Sequence, residues 1–179
     1  MAAEAIFGER GYASVSVEEI LNLADVSRAT FYQHFGSKEE LAAALFDRAL
    51  EVLTKSVFER IAVELTLEAK IAAGLDVYLE LWQGHGRLVQ ELSIEALRPG
   101  SKLAPARKRV VDSVVSVLCA QALAETGEPF EPIVCEHLIL GIEAVLVHRC
   151  LEGELTHDAR RELRAKLLPL IMSSSGRRV

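Results

Sequence analysis

Three serines, at positions 16, 27 and 37, stand where helices have to begin, and they fix the layout of the first part of the chain. Ser16-Val17-Glu18-Glu19 is a capping box: the hydroxyl accepts from the third helical amide while Glu19 reaches back to the serine amide. Ser37-Lys38-Glu39-Glu40 repeats the pattern, and Ser27 caps the segment between them. The spacing predicts short helices over about 17–24 and 28–35, joined by the turn Asp25-Val26-Ser27, then a long helix from 38 to about 62. A first helix, beginning at or before Met1, closes at Gly8, Gly11 and Tyr12. Gly36 is expected to take the left-handed conformation that ends the third helix.

Two short capped helices across a three-residue turn form the helix-turn-helix layout, whose second helix enters the DNA major groove. Ile20, Leu21, Ala24, Val26, Phe31 and Phe35 hold the pair against Ile6 and Phe7 of the first helix. Arg28, Ala29, Tyr32 and Gln33 remain on the outer face, with Thr30 and His34 at its margins; donors and small groups suit base edges and phosphates. Ser16, Ser27 and Lys38 lie at helix N-termini, where free amides and the positive dipole end favour an anion.

Several separated stretches agree in spacing with one family. Phe7-Gly8-Glu9-Arg10-Gly11-Tyr12, Ser16-Val17-Glu18-Glu19-Ile20, Val26 through Phe35 and Ser37-Lys38-Glu39-Glu40-Leu41 together resemble the signature of the TetR transcriptional regulators, over about residues 3–48. The resemblance implies that Arg28, Thr30 and Gln33 touch bases or nearby groups, and that Ser16, Tyr32, His34 and Lys38 clamp phosphates. It also implies a homodimer on a palindromic double-stranded DNA operator, released by a small-molecule effector. Asp25 stands where the family usually has glycine, and Phe31 where leucine is common. The motif is acidic, with Glu18, Glu19, Asp25, Glu39 and Glu40 against Arg28 and Lys38, in a chain whose net charge is −6. Acidity weakens non-specific phosphate binding. A basic arm ahead of the first helix is expected to compensate; the alternative is a ligand-binding or adaptor protein whose head has lost DNA binding.

Beyond residue 48 the segments lengthen and become more apolar. Helices are predicted at about 66–83, 85–97, 105–125, 132–153 and 157–172, with Ser173–Val179 a frayed tail. The valines 110, 111, 114, 115 and 117 repeat with a period of 3.6, not 2, so helix prevails over β-branching. The fold class is therefore all-α: a helix-turn-helix domain at 1–48 and a larger ligand-binding and dimerisation domain at 49–179. Half of the residues are hydrophobic, yet the most apolar run, Leu138 to Val147, is too short to span a membrane and contains Glu143. No export signal is legible, so a cytoplasmic protein is expected. Cys119, Cys135 and Cys150 read as buried thiols.

Tyr78 and Trp82 share a helical face with His85 a turn further on; the three are candidates for the effector pocket, although a plain core stripe has the same spacing. His137 and His148 lie about 16 Å apart along a helix, too far to share an ion, so no metal or other cofactor is expected. No catalytic constellation stands out, and an enzyme is not expected. Lys102, Arg107, Lys108 and Arg109 read as a solvated face. Leu163, Leu167, Leu170 and Ile171 form one stripe, expected with the 138–147 helix to make a four-helix dimer interface.

Overall fold

The computed structural model describes residues 2–128, 130–153 and 155–174. Eight helices run in order: α1 (Ala2–Arg10), α2 (Val17–Ala24), α3 (Arg28–His34), α4 (Lys38–Ala62), α5 (Leu67–Ala96), α6 (Ala104–Thr126), α7 (Pro132–Glu152) and α8 (His157–Ser174). Among the described residues there is no strand. The expected start at Met1 and most of the expected tail lie outside the described residues; Ser173 and Ser174 belong to α8. The break predicted at 84–86 is a kink and not an end. α5 runs through it, with His85 alone leaving helical geometry (φ −135°, ψ 25°), because Gly84 and Gly86 give that turn little helical preference.

The serine caps form where the sequence puts them. Glu19 receives the Ser16 amide at 2.8 Å, and the Ser16 oxygen accepts from the Glu19 amide at 3.3 Å. Ser27 accepts from the Thr30 amide at 3.0 Å. The box at 37–40 differs by one position: Ser37 caps the Glu40 amide, but Glu40 reaches back to the amide of Gly36 at 2.7 Å. The chain accordingly leaves α3 in extended geometry at Phe35, and the left-handed Gly36 expected from sequence is not found. Asp25, by contrast, adopts the left-handed conformation (φ 52°, ψ 46°) that closes α2, which a short polar side chain tolerates.

Two hydrophobic cores result. One joins Phe7, Tyr12, Ile20, Phe31, Leu41 and Phe46 of the head to Leu92 and Ala96 of α5 and to Leu103 and Ala106 at the start of α6. The head thus completes its core with side chains far beyond residue 48. The other packs Leu75, Leu79 and Trp82 of α5 against Leu146 of α7 and Leu163, Leu167 and Ile171 of α8. The kink at His85 separates the half of α5 that serves the second core from the half that serves the first. The expected dimer stripe on α8 is corrected here. Leu163, Leu167 and Ile171 are buried in their own protomer, and only Leu170 of that set is exposed. The helix has to cover Trp82 before it can cover a partner.

Candidate functional site

On α3 the side chains of Arg28, Ala29, Tyr32, Gln33 and His34 are all exposed, while Thr30 is half-buried and Phe31 buried. Phe31 anchors the helix from below, with Tyr32 set edge-on to its ring at 5.2 Å. The Arg28 guanidinium stands 6.0 Å from the centre of the Tyr32 ring, a contact that orders two of the outward groups together. Ser27 is spent on geometry: its hydroxyl bonds the Thr30 hydroxyl at 2.8 Å as well as capping the helix.

Two of the residues assigned to phosphate are committed inside the head. The Lys38 ammonium donates to the carbonyls of Tyr12 at 2.9 Å, Val15 at 2.8 Å and Ala13 at 3.4 Å, and lies over the Tyr12 ring. It closes the α1–α2 loop, and its three donors are already used. Ser16 donates to Glu19 at 2.8 Å, so the N-terminus of α2 already holds a carboxylate where an incoming anion would sit. The Ser16 amide and hydroxyl, with Arg10 beside them, hold the Glu19 carboxyl down at about 2.

Arginines and lysines from the body tie the head down. Arg87 of α5 donates to the last carbonyls of α1, Glu9 at 2.7 Å and Arg10 at 3.1 Å. Lys102 meets Glu40 at 2.6 Å, and Arg109 pairs with Asp47. Gly11, with φ of +86°, lies so close to Glu91 that an added Cβ would sit 2.2 Å from its carboxylate. The reading of 102–109 as a solvated face is corrected for Arg107, which is mostly buried against Glu143; Lys102 and Arg109 stay exposed while they bridge elements, and Lys108 pairs within its own helix, with Asp112. Sequence gave no sign of these ties, since their partners are 36 or more positions away.

Between α4, α5, α6 and α7 lies a cavity of about 1080 Å³. Its walls are chiefly aliphatic, including Leu53 and Val57 of α4, Leu81 and Val89 of α5, Val110 and Val114 of α6 and Leu138 and Ile142 of α7. Tyr78 and His85 line it, as the sequence spacing proposed. Trp82 does not. It is wholly buried in the second core, 6.2 Å from the Tyr78 ring. Burial, and then the charge of Glu143, push the Tyr78 phenol well above its ordinary range, so it stays a neutral donor. Arg107 also lines the cavity, bonded through Nε and Nη2 to both oxygens of Glu143. A lone acid in the most apolar stretch of the chain was the visible signal for Glu143. Phe46 and Leu92 belong both to the cavity wall and to the core of the head. Cys135 is buried at the cavity, and its thiol is pushed up to about 12 by burial and by Cys119 nearby, which leaves it unreactive. Among the described residues no cluster of metal-binding side chains forms, and no helix is long and apolar enough to cross a membrane.

Comparison with known proteins addresses the head directly: the profile of "Bacterial regulatory proteins, tetR family" matches residues 1–45. Residues 1–45 are a tetR-type DNA-binding head. Within reach of this TetR-family head, the transcriptional activator FasR of Mycolicibacterium smegmatis is 30% identical over 80 residues, 45% of this chain and 36% of that one. A helix-turn-helix-type regulator of Mycobacterium tuberculosis is 24% identical over 176 residues, 98% of this chain and 84% of its own length. The body shares its fold with solved structures. FadR of Bacillus subtilis, in complex with stearoyl-CoA, superimposes with a TM-score of 0.80 at 20% identity, over 97% of this chain and 95% of that one. A TetR-family member from Streptomyces coelicolor does so with a TM-score of 0.64 at 22% identity, over 97% and 88%. The chain thus joins a tetR-type helix-turn-helix head to a larger helical body whose fold it shares with TetR-family structures.

Proposed function

We propose that this regulator is a homodimeric repressor that leaves a palindromic operator when a long, largely apolar acyl ligand fills the cavity of its body. One observation carries the reading: Phe46 and Leu92 are at once cavity wall and head core, so whatever fills the cavity presses on the groups that hold the head. A cavity of about 1080 Å³ with aliphatic walls suits a long chain more than a compact polar molecule. The likeness to FadR, solved with stearoyl-CoA, supports the same chemistry. By linkage, a ligand that weakens DNA binding must bind the DNA-free arrangement of the heads more tightly.

Arg28, Ala29, Thr30 and Gln33 are the groups we assign to base edges, and Tyr32, His34 and the α3 N-terminus at Ser27 to the phosphates beside them. Ser16 and Lys38 reach phosphate only by releasing Glu19 and the loop carbonyls. The dimer forms through the outer faces of α7 and α8, where Val145 and Leu170 are exposed and where a twofold axis places two heads on two half-sites. Selection of bound sequences from a random DNA pool, followed by addition of a long-chain acyl-CoA, tests both halves. A palindrome that is released by the acyl-CoA is the expected result.

The acidic head favours a second reading, an adaptor or sensor without an operator. With Lys38 and Ser16 engaged internally, few of its charges face outward to attract phosphate. Recovery of no sequence from a folded dimer would establish that reading in place of the first. A tight operator complex with a steep salt dependence would dismiss it.

A further inference from the structure

We propose that the Arg107–Glu143 pair is a charge filter in the cavity wall: it accepts a ligand whose polar group is uncharged and rejects one whose polar group is ionised. The inference rests on the reading of the cavity as the site of an apolar-chain ligand. Arg107 of α6 and Glu143 of α7 are joined by Nε at 3.2 and 3.1 Å to the two carboxylate oxygens, and by a further bond from Nη2. The two side chains are only 19% and 10% exposed. The wall of the same cavity includes Val110, Val111, Leu138 and Ile142, and the neutral phenol of Tyr78 feels the charge of both members of the pair.

Two charges removed from water gain little stability over well-packed apolar residues of the same size, so a buried pair in a ligand cavity calls for another reason. Specificity supplies one. The pair sums to zero and stays satisfied only while each partner holds the other. A carboxylate on the ligand would meet the charge of Glu143, and it could take Arg107 only by leaving Glu143 buried without a counter-ion. An ammonium would meet Arg107 in the same way. A hydroxyl, ester or thioester oxygen raises neither conflict. It can accept from the Tyr78 hydroxyl or from Nη1 of Arg107, which makes no hydrogen bond among the described residues. Rejection of this kind is specificity by repulsion as well as by contact. The ligand class is therefore an alcohol, ester or thioester of a long chain, and not the free acid.

Trp82 reports the test, being the single tryptophan of the chain and in contact with Tyr78. Dodecan-1-ol, dodecanoate and dodecylammonium give one chain in three charge states. Each is titrated into the full-length protein at pH 8 below its aggregation concentration, with Trp82 emission as one readout and displacement of the neutral dye Nile red as the other. The alcohol is expected to bind at least roughly tenfold more tightly than either ion. Glu143→Gln uncovers the charge of Arg107, and dodecanoate should then gain roughly tenfold while the alcohol stays within about twofold. Should that variant not fold, Arg107→Gln is the mirror case, in which dodecylammonium gains. Equal affinity of the native protein for alcohol and acid, or ratios unchanged in a folded variant, would overturn the filter and leave the apolar-ligand reading standing. If none of the three moves Trp82 emission or displaces the dye, both readings fall.

Discussion

The core under the helix-turn-helix closes around Phe7, Tyr12, Phe31 and Phe46, whereas α4, α5, α6 and α7 enclose a cavity of about 1080 Å³. The core of the head is built around aromatic rings, and the cavity walls are chiefly aliphatic. The head uses short helices, α2 and α3 each started by a side-chain cap, that are too short to be stable alone, so they must pack tightly to exist at all. The body uses helices of 18 to 30 residues that are held at their flanks by the second core and by ion pairs such as Arg164–Asp76, and can stand apart in the middle. A filled region transmits force and a hollow one receives a ligand. Here the two meet at Phe46 and Leu92.

The sharpest way to break that contrast is to remove the same kind of atoms from each region. Trp82→Ala, in the filled part of the body, should cost about 3–5 kcal/mol in thermal or denaturant unfolding. Val114→Ala, on the cavity wall, should cost under about 1 kcal/mol, since its side chain already faces empty space. Equal losses would mean that the cavity closes in solution. The α8 stripe divides in the same way. Leu167→Glu should unfold the protomer, while Val145→Glu on α7 should leave it folded and split the dimer, as light scattering would report.

Next in size come the polar residues of the head, which separate holding from reading. Lys38→Met should lower stability by about 1.5–3 kcal/mol, the range for hydrogen bonds from a charged donor, with its effect on DNA following from the loosened loop. Arg28→Ala should leave unfolding unchanged and lower sequence discrimination by about 1–3 kcal/mol in binding assays. A Lys38 variant of native stability but reduced salt dependence of DNA binding would return that residue to the phosphate contacts.

The smaller effects concern the caps. A carboxyl held below its unfolded value stabilises the fold above that value, and the contribution disappears as pH falls through the folded one. Glu19→Gln should therefore lower Tm at pH 7, and its melting curve should converge with that of the native protein between pH 4.5 and about 2. A constant offset at every pH would show that the carboxylate charge is not what the cap uses. Asp25→Gly, which removes the side chain from a left-handed position, should change stability by no more than about 1 kcal/mol in the stabilising direction.

Much of the head was legible because its signals are local. A serine and the amide it caps are three positions apart, and so are the two members of the 16–19 box. The start of α4 could be read the same way, from Ser37. Where local reading failed, a distant group had intervened. Gly36 is not left-handed because Glu40 takes its amide, and that same carboxylate is drawn to Lys102. Lys38 looked like a free cation at a helix start, and nothing within its own helix indicates that it turns back to carbonyls 23 to 26 positions earlier. Tyr78, Trp82 and His85 were legible as one face, yet helical spacing cannot say which side of a face meets a cavity and which a core.

By itself, then, the sequence determined that this protein is all-α, where its helices start, and that its first helices present Arg28, Tyr32 and Gln33 outward, because caps and periodicity act over a few residues. Only the tertiary structure decided that the head borrows Leu92 and Leu103 to finish its core, that Leu167 turns inward, and that Arg107 finds Glu143 in an apolar wall. Those outcomes depend on which helices lie side by side, and burial makes a pairing across 36 positions as strong as any made along one turn of helix.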